Sequence, residues 1–114
     1  MLDPEGGVVR GTLDVLILKA LSWGPRHGYA VAEWIEYATN DALSVEEGTL
    51  YPALHRLERK AWVNAEWGVS DNNRRAKFYR LTPAGKRRLR ESTTAWNELV
   101  RVMAAALETR PGEV

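Results

Sequence analysis

The amino-acid sequence predicts a mainly α-helical protein with one small β-hairpin and a long C-terminal helix. Apolar residues recur at helical spacing in three successive segments before residue 61. Two runs of about eight residues, rich in aromatic and β-branched types, then flank a polar Ser/Asp/Asn segment, which is the pattern of a hairpin. A final apolar stripe begins after Thr82-Pro83 and continues to about Glu108.

The composition is that of an ordinary globular chain, with 114 residues of which 45% are hydrophobic and 27% charged. These values argue against long disorder or a fibrous repeat, and the length fits one domain. The absence of cysteine excludes a disulfide framework and thiolate-bound metal sites and fits a reducing compartment. There is no signal-type N-terminus and no apolar run long enough to cross a membrane, so a cytoplasmic protein is expected.

The charge is unevenly distributed along the chain. Residues 55–90 hold 11 Lys/Arg and 3 Asp/Glu, a local net charge of +8, whereas residues 1–54 hold 3 and 8, giving −5. Residues 91–114 hold 2 and 4, giving −2. One third of the sequence therefore carries a basic surface, which is either a solvated face or a binding surface for a polyanion.

Helical periodicity places the first helix at about Arg10 to Leu21. It is apolar nearly all round, and in so short a protein a second subunit is a plausible cover for its outer face. Trp23-Gly24-Pro25 ends it, because proline disfavours the helical conformation of the preceding residue. The second helix is expected at about His27 to Thr39.

The third helix has an inward apolar stripe but two possible starts. Ser44 and Glu47 form a capping-box pattern. If Thr49 is the cap instead, Pro52 falls in the first turn, where its missing N–H costs nothing. A bent or two-stage start is expected, with the choice of cap open. The stripe repeats at intervals of 4, 3 and 4 residues and consists of Leu50, Leu54, Leu57 and Ala61.

The hairpin is predicted from strands at about 62–69 and 74–81, joined by the polar residues 70–73. Thr82 then caps the last helix, with Pro83 at its first position. This helix extends past any core that the first 81 residues could offer. Its apolar stripe consists of Leu89, Trp96, Leu99, Val100, Met103, Ala106 and Leu107.

Three helices followed by a hairpin is the order of a winged helix-turn-helix, in which the third helix can enter the DNA major groove. With the leucines inward, its outward side chains are of types that contact bases and phosphates. The basic hairpin tip suits backbone or minor-groove contact. The competing interpretations are an exposed amphipathic face and a solubilising turn. The outward helix residues are Thr49, Tyr51, Pro52, His55, Arg56 and Arg59.

Features of an enzyme are missing from the sequence. The two histidines lack metal-ligand spacing, and there is no cysteine nucleophile, glycine-rich phosphate loop or GxSxG motif. We therefore expect no catalysis, no metal and no cofactor. Trp96 is either interface core or, with its symmetry-related copy, an aromatic slot for a flat ligand. The basic residues early in the last helix either contact phosphate or only solvate the helix; they are Lys86, Arg87, Arg88 and Arg90.

Four segments resemble signature segments of the PadR family of bacterial transcriptional regulators. They are residues 24–29 (GPRHGY), 48–58 (GTLYPALHRLE), 66–68 (EWG) and 74–82 (RRAKFYRLT), and the likeness runs in unbroken order from about Gly11 to Trp96. The single C-terminal helix is similar to that of the short subfamily, whose members are winged-helix homodimers that usually repress nearby genes at palindromic operators.

The resemblance implies a DNA-binding domain at 1–81 and a dimerisation helix with its tail at 82–114. It assigns the DNA contacts to the recognition helix and to the wing. It also implies that the first and last helices form the dimer. The DNA-contacting residues would be Thr49, Tyr51, Pro52, His55, Arg56, Asn73, Arg74, Arg75 and Lys77, and the dimer-interface residues Leu13, Ile17, Leu18, Leu99, Val100, Met103 and Leu107.

The family resemblance also bears on ligands. Trp96 matches a tryptophan that lines a pore at the dimer centre in some relatives that bind planar drugs, so a small aromatic effector could release the DNA. The sequence departs from the family pattern at two positions. Ala61 stands where glycine is common, at a place suited to a left-handed helix end, and keeping that conformation would cost about 1 kcal/mol. Phe78 replaces a frequent tyrosine, so a hydroxyl contact would be lost.

Overall fold

The computed structural model describes residues 7–113. Residues 1–6 of the predicted DNA-binding domain and Val114 of the predicted C-terminal tail lie outside the described residues. The predicted mainly helical fold with a hairpin and a long last helix is confirmed. The elements are α1 (Gly7–Ala20), β1 (Arg26–His27), α2 (Gly28–Ala38), α3 (Glu47–Arg59), β2 (Val63–Val69), β3 (Arg75–Leu81), α4 (Pro83–Glu108) and a 3-10 turn (Pro111–Glu113).

The core lies between α1, α2, α3 and the base of the hairpin. The predicted leucine stripe of α3 is confirmed, because Leu50, Leu54 and Leu57 are each at most 1% exposed. Ala61 does not belong to this stripe, since it follows the helix and is exposed. Burial of the α3 stripe leaves its polar side chains on the outer face of the molecule. The other buried residues include Val31, Ile35, Leu43, Val63 and Tyr79.

The buried apolar residues of α1 pack in the core of a single chain. Leu13, Ile17 and Leu18, predicted at a dimer interface, are 1%, 0% and 1% exposed in the core cluster. A side chain with no accessible surface cannot bury further area against a partner. The core of one subunit therefore accounts for these three residues of α1, whereas the apolar stripe of α4 remains exposed.

A two-residue strand, β1, was not predicted. It pairs antiparallel with β3, with Arg26 opposite Tyr79 and His27 opposite Phe78. The sheet order is therefore β1-β3-β2. Two residues are too few to show a strand periodicity, so the sequence gives no signal for β1. His27 also caps α2, because its Nδ1 accepts a hydrogen bond of 3.2 Å from the Ala30 N–H.

Both predicted caps of α3 are wrong. The N-cap is Glu46, which makes no side-chain cap hydrogen bond. The Ser44 hydroxyl instead donates to Oε1 of Glu36 at 3.0 Å, which ties the α2–α3 connection to α2. The helix runs unbroken through Pro52. The missing N–H of Pro52 deprives the carbonyl of Gly48, four residues earlier, of a helical partner.

The end of α3 is a left-handed turn at Ala61, which has φ 60°. The Trp62 N–H donates to the Leu57 carbonyl at 3.1 Å and the Ala61 N–H to the Glu58 carbonyl at 2.9 Å. This is the Schellman arrangement, in which glycine is favoured at the left-handed position. The expectation that this position is left-handed is confirmed.

We predict that Ala61→Gly raises the free energy of unfolding by about 1 kcal/mol, because glycine adopts this φ without a Cβ penalty. Urea denaturation followed by circular dichroism measures it. Ala105→Gly, in an ordinary and exposed turn of α4, is the matched control and should lower stability by about 1 kcal/mol. A loss of stability in Ala61→Gly would contradict the prediction.

The hairpin pairs β2 and β3 from Val63 opposite Leu81 to Val69 opposite Arg75, close to the predicted strands. Its turn closes with the Ser70 N–H donating to the Arg74 carbonyl at 2.8 Å, and Asn73 takes the left-handed conformation at φ 58°. Opposed residues share a face. The face that carries the buried Tyr79 therefore also carries Trp67 and its opposite residue Lys77.

The joint between the hairpin and α4 is tightly packed. The Thr82 hydroxyl accepts from the Gly85 N–H at 2.9 Å, which confirms the predicted cap, and donates to the Ala61 carbonyl at 2.7 Å. A Cβ at Gly85 would overlap the carbonyl oxygen of Trp62. The start of α4 is thus held against the end of α3.

Candidate nucleic-acid interface

The outer face of α3 presents the predicted DNA-contacting residues to different degrees. Pro52 and His55 are exposed, and Thr49 and Tyr51 are half-buried. Tyr51 leans on the N-terminus of α2, where a Cβ added to Gly28 would lie 2.8 Å from the Tyr51 hydroxyl oxygen. Tyr51 therefore fills a close contact between α2 and α3, and this contact fixes the direction of its ring.

Arg56, predicted as an outward base or phosphate contact, is held by an acidic partner. Its Nη2 lies 2.7 Å from Oδ1 of Asp14, and the two side chains are 30% and 26% exposed. This pair has no signal in the sequence, because its members are 42 residues apart. Any contact of Arg56 with DNA must compete with Asp14 or share the guanidinium with it.

The wing carries cations in three settings. Asn73 and Arg74 are exposed at the turn. The Arg75 guanidinium lies 4.5 Å from the centroid of the Trp67 indole, a cation–π contact. Lys77 lies 3.6 Å from Oε1 of Glu58, an oxygen that is buried and has no hydrogen-bond partner. Arg74 and Arg75 are therefore better placed than Lys77 to meet an external anion.

Tyr79 lies beneath the wing cations, with its ring 5.7 Å from Nζ of Lys77. Burial, followed by coulombic interaction with Glu58 and Tyr51, raises the pKa of the Tyr79 hydroxyl above its ordinary value of 10.0. The phenol therefore remains neutral at physiological pH. It is a core residue that supports the wing.

A groove of about 460 Å³ separates α3 from the wing, and we call it the wing groove. Both histidines lie along it, and six of its ten residues were not predicted to contact DNA, among them His27, Tyr29 and Trp67. Tyr29 and Trp67 are 64% and 59% exposed. The hairpin register could have indicated Trp67, because it places this residue opposite Lys77. The groove is lined by His27, Gly28, Tyr29, Tyr51, His55, Trp67, Arg75, Ala76, Lys77 and Tyr79.

The basic residues at the start of α4 lie on a second surface. Lys86, Arg87, Arg88 and Arg90 are all exposed. The charged groups of Lys60 and Arg88 lie 5.0 and 4.8 Å from the Trp62 ring centroid. The contact with Trp62 accommodates Arg88 near the helix N-terminus. None of the four residues lines the wing groove.

The second half of α4 presents an uncovered apolar stripe. Trp96 is 36% exposed, Leu99 43%, Val100 52%, Met103 47% and Leu107 77%. Toward the N-terminus the same stripe continues into Leu89, which packs against the core. An apolar surface of this extent on a projecting helix is typical of a protein–protein interface.

Within residues 7–113 the structure contains neither a cluster of side chains suited to a metal ion nor a helix long and apolar enough to span a membrane. The sequence was also compared with protein-family models, and residues 17–91 match the transcriptional regulator PadR-like family. The chain belongs to this family. PadR-like proteins are DNA-binding transcriptional regulators and not enzymes, which agrees with the missing catalytic motifs.

The chain is also similar to individual proteins and solved structures. The chain is 36% identical over 102 residues to an uncharacterised protein of Lysinibacillus sphaericus, covering 89% of this chain and 93% of that protein. It is 41% identical over 76 residues to a transcriptional regulator of Mycobacterium tuberculosis, covering 67% of this chain and 57% of the regulator. Among solved structures, a PadR family transcriptional regulator from Eggerthella lenta superposes with a TM-score of 0.75 at 35% identity, covering 89% of this chain and 86% of that one.

Proposed function

We propose that this PadR-like regulator is a repressor that binds a palindromic operator as a homodimer. Each subunit places α3 in a major groove and its wing on the adjoining backbone or minor groove. The observation that carries the proposal is that Tyr51 and His55 of α3 and the wing cation Arg75 line the same groove, the wing groove. Arg74 lines a neighbouring cavity that shares Arg75 with it. Phosphate contacts from such cations provide affinity, and α3 provides base contacts.

The dimer in this proposal forms through α4. Residues 1–81 contact DNA, and residues 82–114 supply the interface and tail. Leu99, Val100, Met103 and Leu107 would bury their exposed surfaces against a second copy. Two-fold symmetry then places the two α3 helices about one helical turn of DNA apart, roughly 34 Å.

We predict that Arg75→Ala weakens operator binding about tenfold and lowers the slope of log affinity against log salt by about one, because one phosphate contact is lost. Fluorescence anisotropy with DNA from upstream of the gene, measured at several salt concentrations, tests this. Arg56→Ala should also weaken binding. Asp14→Asn is its matched control, because it removes the same ion pair and keeps the arginine, so binding should persist.

Two outcomes would count against this assignment. If Arg75→Ala and Arg56→Ala bind the upstream DNA as the parent does, with the same salt dependence, the proposed contact residues are wrong. If the parent chain forms no salt-sensitive, sequence-preferring complex in a gel shift, the DNA-binding proposal itself fails. A dimer that binds only protein or a small molecule would give that result.

Trp96 supports a second part of the proposal, release of DNA by a small aromatic effector. Its indole is 36% exposed on the α4 stripe, where a symmetry-related copy could complete a stacking slot. We predict that a planar aromatic ligand quenches tryptophan fluorescence in the parent and much less in Trp96→Phe. The control is necessary because four other tryptophans emit. Equal quenching in the two proteins would rule out Trp96 as the ligand platform.

A further inference from the structure

The position of the wing groove has a geometric consequence for bound DNA. In B-DNA a single sugar-phosphate strand separates a major groove from the adjoining minor groove. A protein with α3 in the major groove and its wing in that minor groove must straddle this strand. The space between α3 and the wing is the wing groove, of about 460 Å³.

The chemistry of the wing groove suits a phosphodiester strand. Arg75 and Lys77 stand on the wing side, and Tyr51 and His55 stand on the α3 side. Hydroxyl, imidazole and guanidinium groups are common donors to phosphate oxygens. Aromatic ring surface between such donors fits the apolar edge of deoxyribose. Of the two cations, Arg75 has no carboxylate partner among the ion pairs of the described residues, whereas Lys77 is paired with Glu58.

Trp67 determines where the Arg75 guanidinium lies. An exposed arginine samples many rotamers, and holding it in one of them costs free energy when it binds. The Trp67 indole lies 4.5 Å from the guanidinium carbon and is itself 59% exposed toward the groove. Tyr29, 64% exposed, lies on the same groove and also borders the turn of the wing.

We propose that the wing groove seats the sugar-phosphate strand between the two DNA grooves, with Trp67 as the positioning residue for Arg75 and Tyr29 as an additional backbone contact. This inference rests on the proposed DNA binding. It assigns roles to two aromatic residues that lie outside both the recognition helix and the basic turn. It also accounts for two large exposed aromatic side chains that have no role in the core.

The test compares two groove variants with two matched controls in anisotropy titrations of the full-length protein with upstream DNA. Trp67→Ala should weaken binding about tenfold, the size of a partly desolvated cation–π contact, and Tyr29→Ala should weaken it by about threefold or more. Trp23→Ala and Tyr37→Ala remove residues of the same types, 62% and 80% exposed, from outside the groove. Both controls should bind as the parent does.

Two further variants separate positioning from folding, and a third measurement locates the bound strand. If Trp67 acts through Arg75, the Trp67→Ala/Arg75→Ala double variant should bind no more than about twofold more weakly than Arg75→Ala. Trp67→Phe, which keeps an aromatic face, should restore most of the affinity. Replacing single phosphates by neutral methylphosphonates should weaken binding most on the strand between the major-groove and minor-groove contacts.

The possible failures are distinguishable. If the parent binds the operator but Trp67→Ala and Tyr29→Ala bind equally well, the groove assignment is overturned and the proposed function stands. If the double variant shows the full sum of the two losses, Trp67 does not act through Arg75, and its positioning role is refuted. If the parent does not bind, the proposed function fails first.

Discussion

Gly85→Ala should destabilise the fold by about 3 kcal/mol or more, the largest effect on stability expected from a single methyl group in this chain. A Cβ at this position overlaps the carbonyl oxygen of Trp62, which is backbone and cannot rotate away. Either α4 or the α3–β2 junction must then shift, and the hydrogen bonds of Thr82 to Ala61 and Gly85 are lost with it. Urea denaturation measures the loss as a lower midpoint.

Gly48→Ala provides the matched control for this prediction. Gly48 is also helical, but nothing lies within 4 Å of its added Cβ. Alanine should therefore keep or slightly raise the stability, by up to about 1 kcal/mol. If Gly85→Ala unfolded at the same denaturant concentration as the parent, the close packing of α4 on Trp62 would be refuted.

Leu99→Asp/Met103→Asp should convert the protein to a monomer and reduce operator affinity by about a hundredfold or more, because binding of the second half-site would no longer be intramolecular. Both side chains lie on the exposed stripe of α4, 43% and 47% accessible, so the charges are tolerated in a folded single chain but not in an apolar interface. Light scattering measures the mass of the variant in solution, and fluorescence anisotropy measures its affinity for the operator. Circular dichroism checks that the variant keeps its fold.

Thr94→Asp is the control and places one such negative charge on the opposite side of α4, on an exposed residue. It should leave both the mass and the operator affinity unchanged. A dimeric Leu99→Asp/Met103→Asp variant would show that the α4 stripe is not the interface. A monomer with parental affinity would show that one α3 helix binds without its partner.

Local chemistry determined which elements were predictable. Thr82-Pro83 predicts the start of α4, and the leucine stripe predicts the buried face of α3, because both patterns act within a few residues. The α3 cap was wrong because Ser44 has a competing acceptor, Glu36, in another helix. The sequence has no pattern that predicts β1, because this strand is defined by its pairing with β3 and not by its own two residues.

Candidate site residues were predictable by type but not by environment. The sequence identified Arg56 and Lys77 as cations, while their pairing with Asp14 and Glu58 arises from tertiary packing. The burial of Leu13, Ile17 and Leu18 in one subunit likewise depends on how three helices meet. Tyr29 was not identified, because a groove formed by five separate elements has no sequence pattern of its own, and Trp67 could have been indicated only through its place opposite Lys77 in the hairpin.

The joint at Thr82 has a mechanical consequence for DNA recognition. Thr82 is the only residue between β3 and α4, and its hydroxyl and N–H bind the backbone of Ala61 and Trp62 at the end of α3. No flexible tether therefore separates the DNA-contacting body from the helix that carries the exposed stripe. In a dimer joined through α4, the separation of the two α3 helices is a fixed length set by helix packing. Half-sites moved apart by one base pair could then be reached only by bending the DNA or the helix.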